Sequence, residues 1–194
     1  MKPLTPLEVL PVTTYDRVRP LLRPLCMAEK ARRRLAVGEH LTLMFENRQT
    51  IWYQIQEVVR AERIFEDAAI NHEVENYNEL LPRAGEFSAT LLIEYADPVE
   101  RDRELARLLG LERHLWMVLD GQRIGARFDE SQMSPDQISA VQFIAFPVGL
   151  NANQFAELAA AGKVAVEVDH PALSVRAPVE GPLAAALTDD LRSD

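Results

Sequence analysis

Apolar residues in the first eighty positions recur every three or four residues, whereas from Phe87 onward they recur every second residue. The pattern predicts a helical half followed by a strand-rich half. Thr5-Pro6-Leu7-Glu8 is a capping box with proline at the first helical position, so a short helix starts there. A second helix is expected within residues 14–36. Pro20 and Pro24 remove donors and crowd the preceding turn, which predicts a break near Pro20 and a regular helix from Pro24 to Leu35, ended by Gly38. Leu41–Phe45 is a short strand, and the longest helical pattern runs from Arg48 to Leu81, with a break near residues 67–71 equally allowed.

Beyond Pro82 the period changes. Phe87, Ala89, Leu91, Ile93 and Tyr95 alternate with Ser88, Thr90 and Glu94, and Val164, Val166 and Val168 with Ala165, Glu167 and Asp169, which is the mark of strands with one buried face. His114–Leu119 and Arg123–Phe128 flank Asp120-Gly121, a strong hairpin signal. Ala140–Phe146 is a central strand. Helices are expected over Pro98–Leu109, over Asn153–Ala161 and from Pro182, where Leu183, Leu187 and Leu191 share a face. The expected fold is α+β: a helical half, residues 1–82 with one short strand, packed on a mainly antiparallel sheet of about five or six strands with short helices, residues 83–194, in a single domain.

Composition narrows the function classes. With 47% hydrophobic and 26% charged residues the chain is neither disordered nor membranous, and no apolar run approaches a membrane span. No export signal follows Met1, and a single cysteine, Cys26, fits the cytoplasm. The net charge of −9 argues against nucleic acid as a partner, yet residues 1–35 carry eight Lys and Arg against three acids, leaving the remainder strongly acidic. Phosphate-binding glycine loops, a serine-hydrolase elbow and cysteine clusters are all absent. The one Glu-x-x-His spacing, Glu167 to His170, lies in a strand, so a di-iron carboxylate bundle is not expected.

One anomaly stands out in the 48–81 pattern. On a continuous helix the apolar stripe Ile51, Ile55, Val58, Val59, Phe65, Ala69 and Leu80 has Glu62 at its centre, Glu73 and Asn76 on its continuation, and Glu66 and His72 at its margins. A carboxylate facing the core needs a partner. The first reading pairs Glu62 with an arginine of the Arg32–Arg34 run. A second breaks the helix early and leaves Glu62 in water. A third makes Glu62, Glu66, His72 and Glu73 a buried polar or ligand site, with a metal as its only implied cofactor. His170, at the end of a strand, reads first as a structural histidine and second as a member of that site. Lys30, Arg32, Arg33 and Arg34 form a basic patch that could contact phosphate.

The block Leu41–Ile64, LTLMFENRQTIWYQIQEVVRAERI, resembles the most distinctive stretch of a bacterial domain-of-unknown-function family. The likeness continues through residues 77–82, 93–98, 139–141 and 168–171, in one order along nearly the whole chain. That family has no assigned activity. Its members are often encoded beside a rubrerythrin and an iron–sulfur oxidoreductase, so the resemblance implies those two as candidate protein partners and a link to redox or peroxide stress. Gln142 departs from the family, many of whose members carry histidine in that strand.

Three functions follow as expectations. The leading one is a non-enzymatic accessory or interaction protein associated with a redox system. The alternative is a small metal- or ligand-binding enzyme using Glu62, His72, Glu73 and His170. The third is nucleic-acid binding through Lys30, Arg32, Arg33 and Arg34. The residues do not decide whether the protein is an enzyme, and its oligomeric state is open.

Overall fold

The computed structural model describes residues 1–132 and 134–193. Its helices are α1 (Val12–Ala31), α2 (Arg48–Ala61), α3 (Asp67–Asn78), α4 (Pro98–Arg107), α5 (Ala152–Ala160) and α6 (Gly181–Arg192). Its strands are β1 (Arg34–Val37), β2 (Leu41–Phe45), β3 (Phe87–Ile93), β4 (Leu115–Leu119), β5 (Gln122–Gly125), β6 (Arg127–Phe128), β7 (Val141–Phe146), β8 (Val164–His170) and β9 (Leu173–Pro178). The fold is α+β and every strand pair is antiparallel, as the alternating pattern predicts.

The strands divide into two sheets where one was expected, a five-stranded sheet ordered β1-β2-β3-β7-β6 and a four-stranded sheet ordered β5-β4-β8-β9. The division happens inside the predicted hairpin. Asp120 and Gly121 turn the chain with φ of 48° and 84°, and β5 pairs with β4. After Ala126 the same extended segment leaves that sheet, and β6 pairs with β7 in the other. A strand that changes sheets at a corner lets both sheets face one core. Inward residues of β2, β3 and β7 (Leu43, Phe45, Phe87, Leu91, Phe146) join those of β4 and β8 (Leu115, Met117, Val166, Val168) in a single cluster. Leu105, Phe155 and Leu187 close it from α4, α5 and α6.

The helical half is a separate arm with its own small cluster of Leu4, Ile51, Ile55, Val59, Val74 and Leu81. α2 lies in its middle, with α3 on one side and α1 on the other. Three expectations about this arm need correction. α1 is one helix of 20 residues with Pro20 and Pro24 inside it, not two pieces. Both prolines are exposed, so the rings crowd only the solvent side. The carbonyls four residues earlier, those of Asp16 and Pro20, lose their helical donor where water can replace it. The 48–81 pattern is two helices, α2 and α3, with the break at residues 62–66, ahead of the allowed 67–71, and Arg34 and Leu35, expected to finish the second helix, instead begin β1, which Gly38 folds back. Arg63 adopts φ 54° while its successor Ile64 donates to the carbonyl of Val59, a Schellman closure that ends α2 without glycine.

Among the described residues no helix is long and apolar enough to cross a membrane.

Candidate functional site

That closure dissolves the inward-facing acidic site. Glu62 is the C-cap of α2 and is exposed, which is the early-break outcome and corrects its expected burial. Glu66 precedes α3, exposed, and His72 is exposed on α3, whereas Glu73 is half-buried. α3 restarts with its own rotation, so the continuous stripe does not exist. Among the described residues, no group of three or more His, Cys, Asp or Glu could hold a metal ion. His170 sits in the other half of the molecule, buried at the end of β8. Its Nδ1 accepts from the Ala172 amide at 3.1 Å, which leaves Nε2 to donate to the Leu109 carbonyl at 3.2 Å. With both nitrogens bound to backbone, the ring pins the β8–β9 turn to the segment after α4. Its neighbour Asp169 points to the opposite face and accepts from Trp116, Arg123 and His114. The Trp116 indole first, then the His114 and Arg123 contacts, hold its carboxyl below the ordinary value.

The basic run is likewise dispersed. Arg33 is 1% exposed and forks onto Asp190 of α6 at 2.6 and 2.8 Å, while its Nε donates to Glu29 at 2.5 Å. Arg32 bonds Glu29 as well, at 2.6 and 3.0 Å. Lys30 stands over the Tyr53 ring, and Arg34 lies 3.9 Å from Glu94 at the edge of the five-stranded sheet. Burial pushes the Asp190 carboxyl up, an effect Arg33 only partly offsets. Glu29 is also raised by burial, but bonds from Arg32 and Arg33 outweigh this and hold it below its usual range.

This buried cluster is what the sequence argument missed. The arginine run does supply a core partner, but for Glu29 and Asp190 rather than Glu62. A signal was present. Asp190 falls at i+7 from Leu183 and i+3 from Leu187, on the apolar face of α6, and Glu29 precedes Arg33 at i+4. Asn47 extends the cluster by donating to Glu29 at 2.9 Å while its own oxygen caps α2. The FENRQT segment of the distinctive block thus joins β2, α2, α1 and, through Arg33, α6.

α1 is fastened along its inner face. Tyr15 donates to Glu57 at 2.6 Å, Arg19 forks onto the same carboxylate at 2.7 Å, and Arg60 reaches Asp16 at 2.6 Å. The Arg19 bonds hold the Glu57 carboxyl low against its burial, and burial together with that carboxylate pushes the Tyr15 phenol up. The outer face is uncovered. Leu21 and Leu25, 74% and 63% exposed, lie one turn apart between Pro20, Pro24 and Ala28. Other exposed large apolar residues, such as Leu7, Phe65 and Val99, stand singly. The acids of α1 are consumed by Arg60, Arg32 and Arg33. Arg17 and Arg23 are exposed and meet no carboxylate among the described residues. The helix therefore presents an apolar stripe with Arg17, one turn before Leu21, beside it, while Arg23 lies on the side of α1 toward Tyr53 of α2.

The family model of DUF3501, a protein of unknown function, matches residues 3–191. No curated protein matches the sequence. Among solved structures, a crystal structure described as a novel protein of unknown function from Burkholderia pseudomallei superposes with a TM-score of 0.87. It is 33% identical, and the match covers 97% of this chain and 99% of that one.

Proposed function

The chain belongs to this family of unknown function, and we propose from its surface that it is a non-enzymatic interaction protein whose α1 docks on an acidic partner protein. The single observation behind the reading is the uncovered Leu21–Leu25 stripe on a firmly fastened helix. Fully covering two leucines is worth roughly 3 to 6 kcal/mol before ordering costs, more than any exposed ion pair supplies. Charge selects the occupant. Arg17, beside the stripe, favours a surface that offers a carboxylate at the edge of an apolar strip and disfavours a cationic one. The redox partners implied by the resemblance, a rubrerythrin and an iron–sulfur oxidoreductase, are the first candidates, in a cytoplasmic setting suited to the single cysteine.

The test mixes purified protein with each candidate at low ionic strength, where charge steering is strongest, and follows complex formation by sedimentation. A complex is expected that weakens with salt and is lost in the Leu21→Ser, Leu25→Ser double variant, whose helical content stays that of the parent. Failure of both candidates to bind overturns the partner assignment. Association of the chain with its own copies through this stripe overturns the heterologous reading.

A further inference from the structure

Strand alternation places Ser88 and Thr90 of β3, with Phe143 and Ala145 of β7, on the face of the five-stranded sheet away from the apolar cluster. Arg127 of β6 pairs with Ala145 on the same face. The segment 80–83 and Pro3 wall this face into a groove of about 690 Å³, within the range of small-molecule sites.

Two acids in its lining are buried, and they differ. Glu86, 7% exposed, is paired with Arg127. Glu46, 3% exposed, joins no ion pair among the described residues. Its donors are neutral: Thr50 at 2.5 Å and Gln54 at 3.0 Å on Oε2, and Thr90 at 2.8 Å on Oε1. A carboxylate offers about four acceptor sites, and Oε1 here uses one. The free site belongs to the oxygen shared with Thr90, which itself lies on the groove floor. Oε1 therefore keeps acceptor capacity that a charged N–H donor entering the groove can fill.

We propose that this groove binds a small organic cation, a primary ammonium or guanidinium compound, with its charged head on Glu46. Thr50, Gln54 and Thr90 fix the carboxylate so that it meets the head without rearranging. The floor, where Phe143 and Ala145 lie beside Thr90 and Ser88, suits a short alkyl chain behind that head, with the Glu86–Arg127 pair at its side. The site needs nothing from the α1 stripe and stands whether or not that surface docks a protein.

Calorimetric titration of the protein with agmatine and with cadaverine, using glutarate as the anionic control, tests the assignment. Saturable one-to-one binding of at least one cation and none of glutarate is expected. Glu46→Gln keeps an oxygen acceptor but removes the charge, and the affinity is expected to fall roughly 10- to 100-fold. Ala145→Arg places a tethered guanidinium on the groove floor and leaves Glu46 and its donors unchanged; it is expected to abolish binding. Absence of saturable binding by either cation overturns the proposal, as does undiminished affinity in Glu46→Gln or in Ala145→Arg.

Discussion

The two-sheet body and the helical arm belong to one chain but are held by different forces. The body buries an extended apolar cluster contributed by both sheets and three helices. The arm buries a cluster of six apolar side chains, with Tyr15, Cys26 and Tyr53 buried besides on α1 and α2, and is further fastened by charged hydrogen bonds: Arg19 to Glu57, Arg60 to Asp16, Arg48 to Glu8 and Arg33 to Glu29 and Asp190. Apolar burial is indifferent to pH and has no preferred direction, whereas forked arginine–carboxylate bonds are directional and titrate. The arm is therefore the part whose placement is set bond by bond, and the part that conditions can loosen while the body stays folded.

The sharpest way to break this contrast is Arg33→Met. It leaves Glu29 and Asp190 without their shared cation, and urea unfolding is expected to show a loss of about 3 to 5 kcal/mol. Because the residue ties α1 to α6, the transition should stay single. Next come paired truncations. Leu43→Ala in the body and Ile55→Ala in the arm each remove a fully buried side chain at a cost of about 2 to 5 kcal/mol. Amide exchange should separate them, with Leu43→Ala lowering protection throughout and Ile55→Ala lowering it mainly in α1, α2 and α3. Equal loss across the body in both would erase the distinction between the two regions.

A smaller effect of opposite sign is expected at Gln56, 1% exposed in α2, whose side-chain oxygen and nitrogen both lack hydrogen-bond partners. Gln56→Leu replaces an unsatisfied amide by an apolar group of similar length and should stabilise the protein by about 1 to 3 kcal/mol in the same urea assay. The gentlest probe is acid. Glu57 and Glu29 titrate below their ordinary value in the fold, and Arg48 and the Thr5 amide hold Glu8 down to about 2. A carboxyl lowered by folding contributes stability that is complete above its unfolded value and lost as pH falls through its folded one. Exchange protection across α1 and α2 should therefore decline from about pH 4.5 toward about 2, whereas in the body the loss should stay local to Asp169 and Glu104, whose carboxyls are also held low.

Much of the body was legible because its signals are local. Asp120-Gly121 forms the predicted hairpin, the alternation of residues 87–93 and 164–168 is that of β3 and β8, and Leu183 and Leu187 face inward on α6. The division into two sheets was hidden, since nothing at Ala126 distinguishes a strand that continues from one that changes partners. In the arm, local rules misled. Two prolines predicted a break that the solvent-facing orientation of α1 makes unnecessary, and Arg63 ended α2 in a conformation usually marked by glycine. The buried charges were misplaced for the same reason. Glu29, four residues before Arg33, marks that arginine locally, but its other partner is Asp190, 157 residues away, which no window around Arg33 contains.

The prolines of α1 have a consequence for anything that lies against it. A surface that covers Leu21 and Leu25 and reaches over the Pro20–Pro24 edge also draws the orphaned backbone oxygen of Pro20 toward it, and an oxygen sealed in a dry contact without a donor is penalised. A purely greasy complement would therefore fit badly. The matching surface has to bring an N–H or O–H group in register with a turn of helix, so that an imino acid gives a slippery stripe a reading frame.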